Sequence, residues 1–173
     1  MTKRVFVSID LPPGIKEKIR REQVPGIYWI KWMNVKNFHI TVSFLGDLRP
    51  DQIEQAKEVL SMVSGNFPKF SLTIPRFEGE RDMLWAVFER SESLRDLHDA
   101  LKDEFRSRRL TKSERRGFVA HVLVGKSKTG RKMTWLPENF EPLSFEANKI
   151  NLYESELTPD SATHTLIQSF PPQ

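Results

Sequence analysis

Two stretches of this sequence set a histidine into a short apolar run: "NFHITVSFLG" at 37–46 and "GFVAHVLVGK" at 117–126. An unperturbed imidazole has a pKa of about 6.5, so near neutrality the same side chain can take a proton or give one. In the first stretch polar and apolar residues alternate from His39 onward. A strand there shows His39, Thr41 and Ser43 on one face and buries Ile40, Val42 and Phe44 on the other. An imidazole beside a hydroxyl on an open face combines a proton carrier with a hydrogen-bond donor. Taken singly, His39 and His121 each read as hydrogen-bonded structural residues. As a pair, one in each half of the chain, they point to two lobes meeting at a shared cleft.

The other two of the four histidines offer less. His98, in "RDLHDAL" between Asp96 and Asp99, is expected on the solvated flank of a helix. His164 is followed directly by Thr165, so on a strand the two face opposite ways and cannot act together as His39 and Thr41 could. The chain has no cysteine, which excludes disulfides, thiolate nucleophiles and cysteine-bound zinc. No Asp/Glu/His cluster has metal-ligand spacing, so no metal and no cofactor is expected.

Helices and strands must position these groups. Strands are expected near 5–11, 28–32, 39–46, 70–77, 84–89, 118–124, 145–155 and 163–170. One helix opens at Pro12-Pro13, where proline suits the first turn. A second follows Pro50, with Ile53, Ala56, Leu60 and Val63 at helical spacing. A third is capped by Ser91 and carries a stripe of Leu94, Leu97, Leu101 and Phe105. This order describes an α+β fold with antiparallel sheets better than a doubly wound one. No linker or low-complexity segment divides the chain, so residues 1–173 are expected to form a single domain.

Composition narrows the class. A hydrophobic fraction of 38% and a charged fraction of 29% belong to an ordinary folded protein. No apolar run approaches the ~20 residues that cross a bilayer, so no membrane association is expected. The opening "MTKRVFVSIDLPPG" is cut by Asp10 and Pro12-Pro13 and reads as a first strand, with a cytoplasmic location as the default. No obligate protein partner is evident. Net charge is only +4, with a pI of about 9.4, but the cations cluster. "RSRRLTKSERR" at 106–116 carries one acid, Glu114, and "GKSKTGRK" at 125–132 adds Lys126, Lys128, Arg131 and Lys132. Such a run is usually a solvated loop; this density predicts attraction to a polyanion.

In these motifs the chain resembles the 2H phosphoesterases, specifically the RNA 2′,3′-cyclic phosphodiesterases also known as 2′-5′ RNA ligases. "RVFVSIDLP" is similar to that family's first strand and "NFHITVSFLGDL" to its first His-x-Thr-x motif. "GFVAHVLVGKSK" is similar to the second motif and "INLYESELTPDSATHTLIQSF" to the closing strands. The resemblance implies two pseudo-symmetric lobes whose antiparallel sheets line a central cleft, with helices outside. It also implies metal-independent opening of RNA 2′,3′-cyclic phosphate ends to 2′-phosphates. His39 would serve as acid toward the leaving O3′ and His121 as base, with Thr41 and Lys126 on the phosphoryl oxygens. Weak, reversible, ATP-independent 2′-5′ joining is implied as well. RNA ends or cyclic nucleotides are the expected partners.

Two positions depart from the family pattern. Leu123 stands where the second motif has threonine, and Lys126 where relatives often carry arginine. Leucine cannot donate to a phosphate oxygen, and lysine lacks arginine's bidentate fork. The second reading is therefore an RNA- or nucleotide-binding 2H domain with weakened or lost catalysis. A third is a different cyclic substrate, such as a cyclic ADP-ribose phosphate, on the same histidine pair. Trp29, Trp32, Trp85 and Phe44 are available to stack on a base, but core packing is the stronger reading for each.

Overall fold

The computed structural model describes residues 1–111 and 116–172. Ten strands and three helices build two four-stranded antiparallel sheets and a two-stranded one among these residues. The first sheet orders its strands β10 (Ala162–Phe170), β9 (Ile150–Leu157), β1 (Lys3–Asp10), β3 (His39–Leu48). The second orders β2 (Ile30–Trp32), β7 (His121–Ser127), β6 (Met83–Val87), β5 (Arg76–Glu80). A small pair joins β4 (Phe70–Ile74) to β8 (Leu143–Ala147). The two large sheets approach each other at β3 and β7, the strands that carry His39 and His121.

The helices follow the apolar spacing of the sequence. α1 (Pro13–Arg21) has proline in its first turn and buries Ile15 and Ile19. α2 (Pro50–Ser64) buries Ile53, Ala56, Val59, Leu60 and Val63, and the Arg49 backbone N–H donates to Gln52 Oε1 at 3.0 Å to close its first turn. α3 (Glu92–Ser107) starts at Ser91, whose hydroxyl accepts from the Leu94 N–H at 3.2 Å. Leu94, Leu97, Leu101 and Phe105 are all buried. At roughly 1.5–3 kcal/mol for each large apolar side chain, this stripe holds the helix down more firmly than its cap does. None of the helices among the described residues is long and apolar enough to cross a membrane.

Several strand expectations are corrected. The run expected at 70–77 divides at Pro75, which has no N–H for a ladder, and its halves β4 and β5 enter different sheets. The run expected at 145–155 likewise divides between β8 and β9. The strand expected from 118 begins only at His121 and runs to Ser127. On β3 the alternation breaks. Against β1, Ser8 faces Thr41 while Val7 faces Ser43, and Phe6 faces Phe44 while Val5 faces Gly46. Val42 and Leu45 are thus the extra residues of two bulges, each of which reverses the facing of the residues after it. Ser43 is consequently buried and Phe44 is 41% exposed, under the Arg4 guanidinium. Gly46, at a φ of +76°, takes the left-handed backbone that the second bulge requires. His98, expected on the surface, is 4% exposed and stacks on Phe118 with ring centroids 4.2 Å apart. The helix turns that flank inward because Phe118, distant in sequence, covers it.

Candidate active site

His39 and His121 line one cleft of about 410 Å³, together with Thr41, Leu123, Lys31, Trp32 and His164. The two histidines are held alike. His39 Nδ1 lies 2.7 Å from the Asn37 carbonyl and His121 Nδ1 lies 2.8 Å from the Val119 carbonyl, each two residues upstream. A carbonyl only accepts, so Nδ1 carries the proton in both rings and Nε2 keeps a lone pair. For His39 that lone pair meets Thr41 Oγ1 at 3.1 Å. The Thr41 hydroxyl therefore donates to the imidazole. Each ring also has an aromatic backing: Trp85 stacks on His121 at 3.8 Å between centroids, and Phe6 on His39 at 4.9 Å.

Burial lowers the pKa of both. His39 falls to about 4, through desolvation first and the charge of His164 second, against the opposing pull of the Asn37 carbonyl and Asp10. His121 is lowered by desolvation, partly offset by its bond to Val119. Asp10 sits opposite His39 in the β1–β3 ladder and accepts from Tyr153 Oη at 2.6 Å and Ser8 Oγ at 3.2 Å. Burial and this donated bond raise the Tyr153 pKa, so Tyr153 stays a protonated donor.

Leu123 shares the cleft with His121, as the period of two on β7 requires. Lys126 is not among the cleft-lining residues. Between Leu123 and Gly125 the register against β6 shifts by one residue, and the Lys126 ammonium lies 3.8 Å from Asp82. The lysine in the cleft wall is Lys31, on the neighbouring strand, hydrogen-bonded to the Asp160 carbonyl. Gly125 makes room for this wall: a Cβ there would lie 2.9 Å from Ile30 Cγ2 and 3.1 Å from Trp32 Cε3. Gly125→Ala should lower stability by about 1–3 kcal/mol through overpacking, read as a fall in melting temperature. An unchanged melting temperature would show that Trp32 yields without cost.

His164 joins the site although its own stretch of sequence did not announce it. Its facing opposite to Thr165 is as expected, but its partner comes from strands further along the sheet. Its ring stands edge-to-face on His39 at 5.3 Å and on Phe6 at 4.9 Å, and its Nδ1 is buried with no hydrogen-bond partner. No local pattern could have announced this, because β10 reaches the cleft only through the order of the sheet. Of the aromatic candidates, Trp32 lines the cleft and Trp85 backs His121. Trp29 lies under the Arg131 guanidinium at 4.3 Å. Phe44 stands outside the cleft lining. The basic run disperses: Arg108 pairs with Glu58 on α2, Arg116 borders a separate groove with α3, and Lys112, Glu114 and Arg115 lie outside the described residues. No group of His, Asp or Glu among the described residues could hold a metal ion.

Comparison with known proteins shows the family and the fold. The model of the 2′-5′ RNA ligase superfamily matches residues 30–159. Proteins named RNA 2′,3′-cyclic phosphodiesterase are similar along nearly the whole chain. That of Methanocaldococcus jannaschii is 30% identical, over 96% of this chain and 99% of its own. That of Thermotoga maritima is 25% identical, over 95% and 92%. Among solved structures, a Thermus thermophilus protein superposes with a TM-score of 0.81 at 18% identity, covering 97% of both chains. E. coli LigT complexed with 3′-AMP superposes with a TM-score of 0.77 at 20% identity, covering 99% of both. The fold, the paired histidine strands and a family match over most of the length agree: this chain belongs to the 2′-5′ RNA ligase superfamily of 2H phosphoesterases.

Proposed function

We propose that this protein hydrolyses RNA ends bearing a 2′,3′-cyclic phosphate to terminal 2′-phosphates, with His39 and His121 as its acid–base pair within a single two-lobed domain. The observation that carries this reading is the matched pair of histidines on one cleft, each with Nδ1 on a carbonyl and Nε2 left to exchange a proton. The relatives named for this activity support the substrate class. In the proposed reaction water attacks phosphorus in line with the departing O3′. His121 Nε2 takes the proton from water, and His39, protonated as the anionic substrate enters, gives its proton to O3′. The 2′-oxygen keeps the phosphate. Thr41 turns its hydroxyl from His39 to a phosphoryl oxygen, and Lys31 in the cleft wall adds the positive charge that the sequence assigns to Lys126. If an RNA 5′-hydroxyl replaces water, the same displacement would form a 2′-5′ bond, so weak joining is expected beside hydrolysis. The chemistry calls for no metal, and chelators should leave the rate unchanged.

Leu123 in the cleft favours the second reading, a binding domain that has lost turnover. A single-turnover assay on a cyclic-phosphate oligonucleotide decides: formation of a 2′-phosphate supports the enzyme, and tight binding without product supports the binder.

The pH dependence has a definite sign. Catalysis needs one histidine protonated and one neutral, and both pKa values are lowered, His39 to about 4. The kcat/KM profile, which reports the free enzyme, should be a bell with its maximum on the acid side of pH 6.5. Bound phosphate anion favours the protonated rings, so the kcat profile should lie at higher pH. His164→Phe keeps an aromatic ring but removes the charge that opposes protonation of His39, so the acid limb should move upward. A maximum above pH 7.5 in kcat/KM would contradict this account of the pair.

A further inference from the structure

We infer that the β2 edge beside the cleft is a track for single-stranded RNA, taking the backbone and bases that precede the cyclic end. This rests on the phosphodiesterase reading and extends it to the length of substrate preferred. Lys31 and Lys126 stand directly opposite each other in the β2–β7 ladder, so both side chains project from one face. Like charges so opposed cost stability unless an anion lies near. Here Lys126 has the Asp82 carboxylate at 3.8 Å, while Lys31, among the described residues, meets only the neutral Asp160 carbonyl. A phosphodiester is the anion that such a pair would take at the mouth of a cleft built for a terminal phosphate.

The same ladder continues away from the cleft. Ile30 faces Ser127, and the Lys128 N–H then donates to the Trp29 carbonyl at 2.9 Å. At that point the Arg131 guanidinium lies over the Trp29 indole at 4.3 Å. Arg131 is exposed, so its other face is open to a base. Tyr28, next in the chain, is 81% exposed. Lys128, Arg131 and Lys132 are exposed and have no ion pair among the described residues. Cations alternating with aromatic faces suit single-stranded nucleic acid, whose unpaired bases can stack while its phosphates are neutralised. A duplex buries those base faces and could use only the charge.

The test compares a 2′,3′-cyclic mononucleotide with an oligoribonucleotide ending in the same nucleotide. Wild type should show a higher kcat/KM on the oligonucleotide. Lys128→Gln and Arg131→Gln together should lower that value roughly tenfold at low salt while leaving the mononucleotide unchanged. Two lost phosphate contacts should also flatten the slope of log affinity against log salt by about 1.4. Tyr28→Ala should weaken single-stranded but not duplex binding. Equal losses on both substrates, or an unchanged salt slope, would overturn the track. Anisotropy with a 2′-phosphate-ended oligonucleotide reads the same slope without turnover. A wild type inert on both substrates would therefore sink the phosphodiesterase reading and leave the track to be judged by binding alone.

Discussion

His39→Ala and His121→Ala are each expected to reduce the single-turnover rate on a cyclic-phosphate substrate by roughly two decades or more, the usual contribution of one general acid or base. The two rings line one cleft and are held by the same carbonyl contact, which fixes their orientation before any ligand arrives. In the proposed reaction they would act on opposite ends of one displacement, so losing either would stall the same step. The double variant should therefore be little slower than the worse single one. Melting temperatures separate chemistry from folding, because His39 also contacts Phe6 and His164. If the variants fold and keep wild-type rates, the acid–base proposal is wrong. If the two losses multiply, the histidines serve separate steps.

The second large effect concerns Leu123→Thr. Leu123 faces Trp85 across the β6–β7 ladder and lies on the His121 side of the cleft, where a threonine hydroxyl would reach the phosphate. A hydrogen bond to a charged group contributes about 1.5–3 kcal/mol. Formed mainly in the transition state, it amounts to a roughly ten- to more than hundredfold gain in rate. Against this stands the loss of leucine packing beside Trp85, which should lower the melting temperature modestly. Both quantities should be measured on the same preparations. A faster, slightly less stable variant supports a slow enzyme limited by a missing donor. A folded variant with no gain, beside an inert wild type, would move the assignment to the binding domain.

The sequence by itself determined the features that depend on near neighbours. The apolar spacing of α2 and α3 follows from the helical period, and the stripe Leu94, Leu97, Leu101 and Phe105 is buried as that period requires. The shared face of His39 and Thr41, and that of His121 and Leu123, follow from alternation over two residues. Tertiary structure decided whatever depended on pairing between distant segments. Bulges at Val42 and Leu45 arise in the ladder with β1 and reverse Ser43 and Phe44. Phe118 covers His98. The order β10-β9-β1-β3 carries His164 to His39, and β2 beside β7 sets Lys31 in the cleft wall. Facing within a strand is fixed by its own backbone geometry. Which strand lies alongside, and where the register slips, is fixed by hydrogen bonds to residues remote in the chain, which no local pattern encodes.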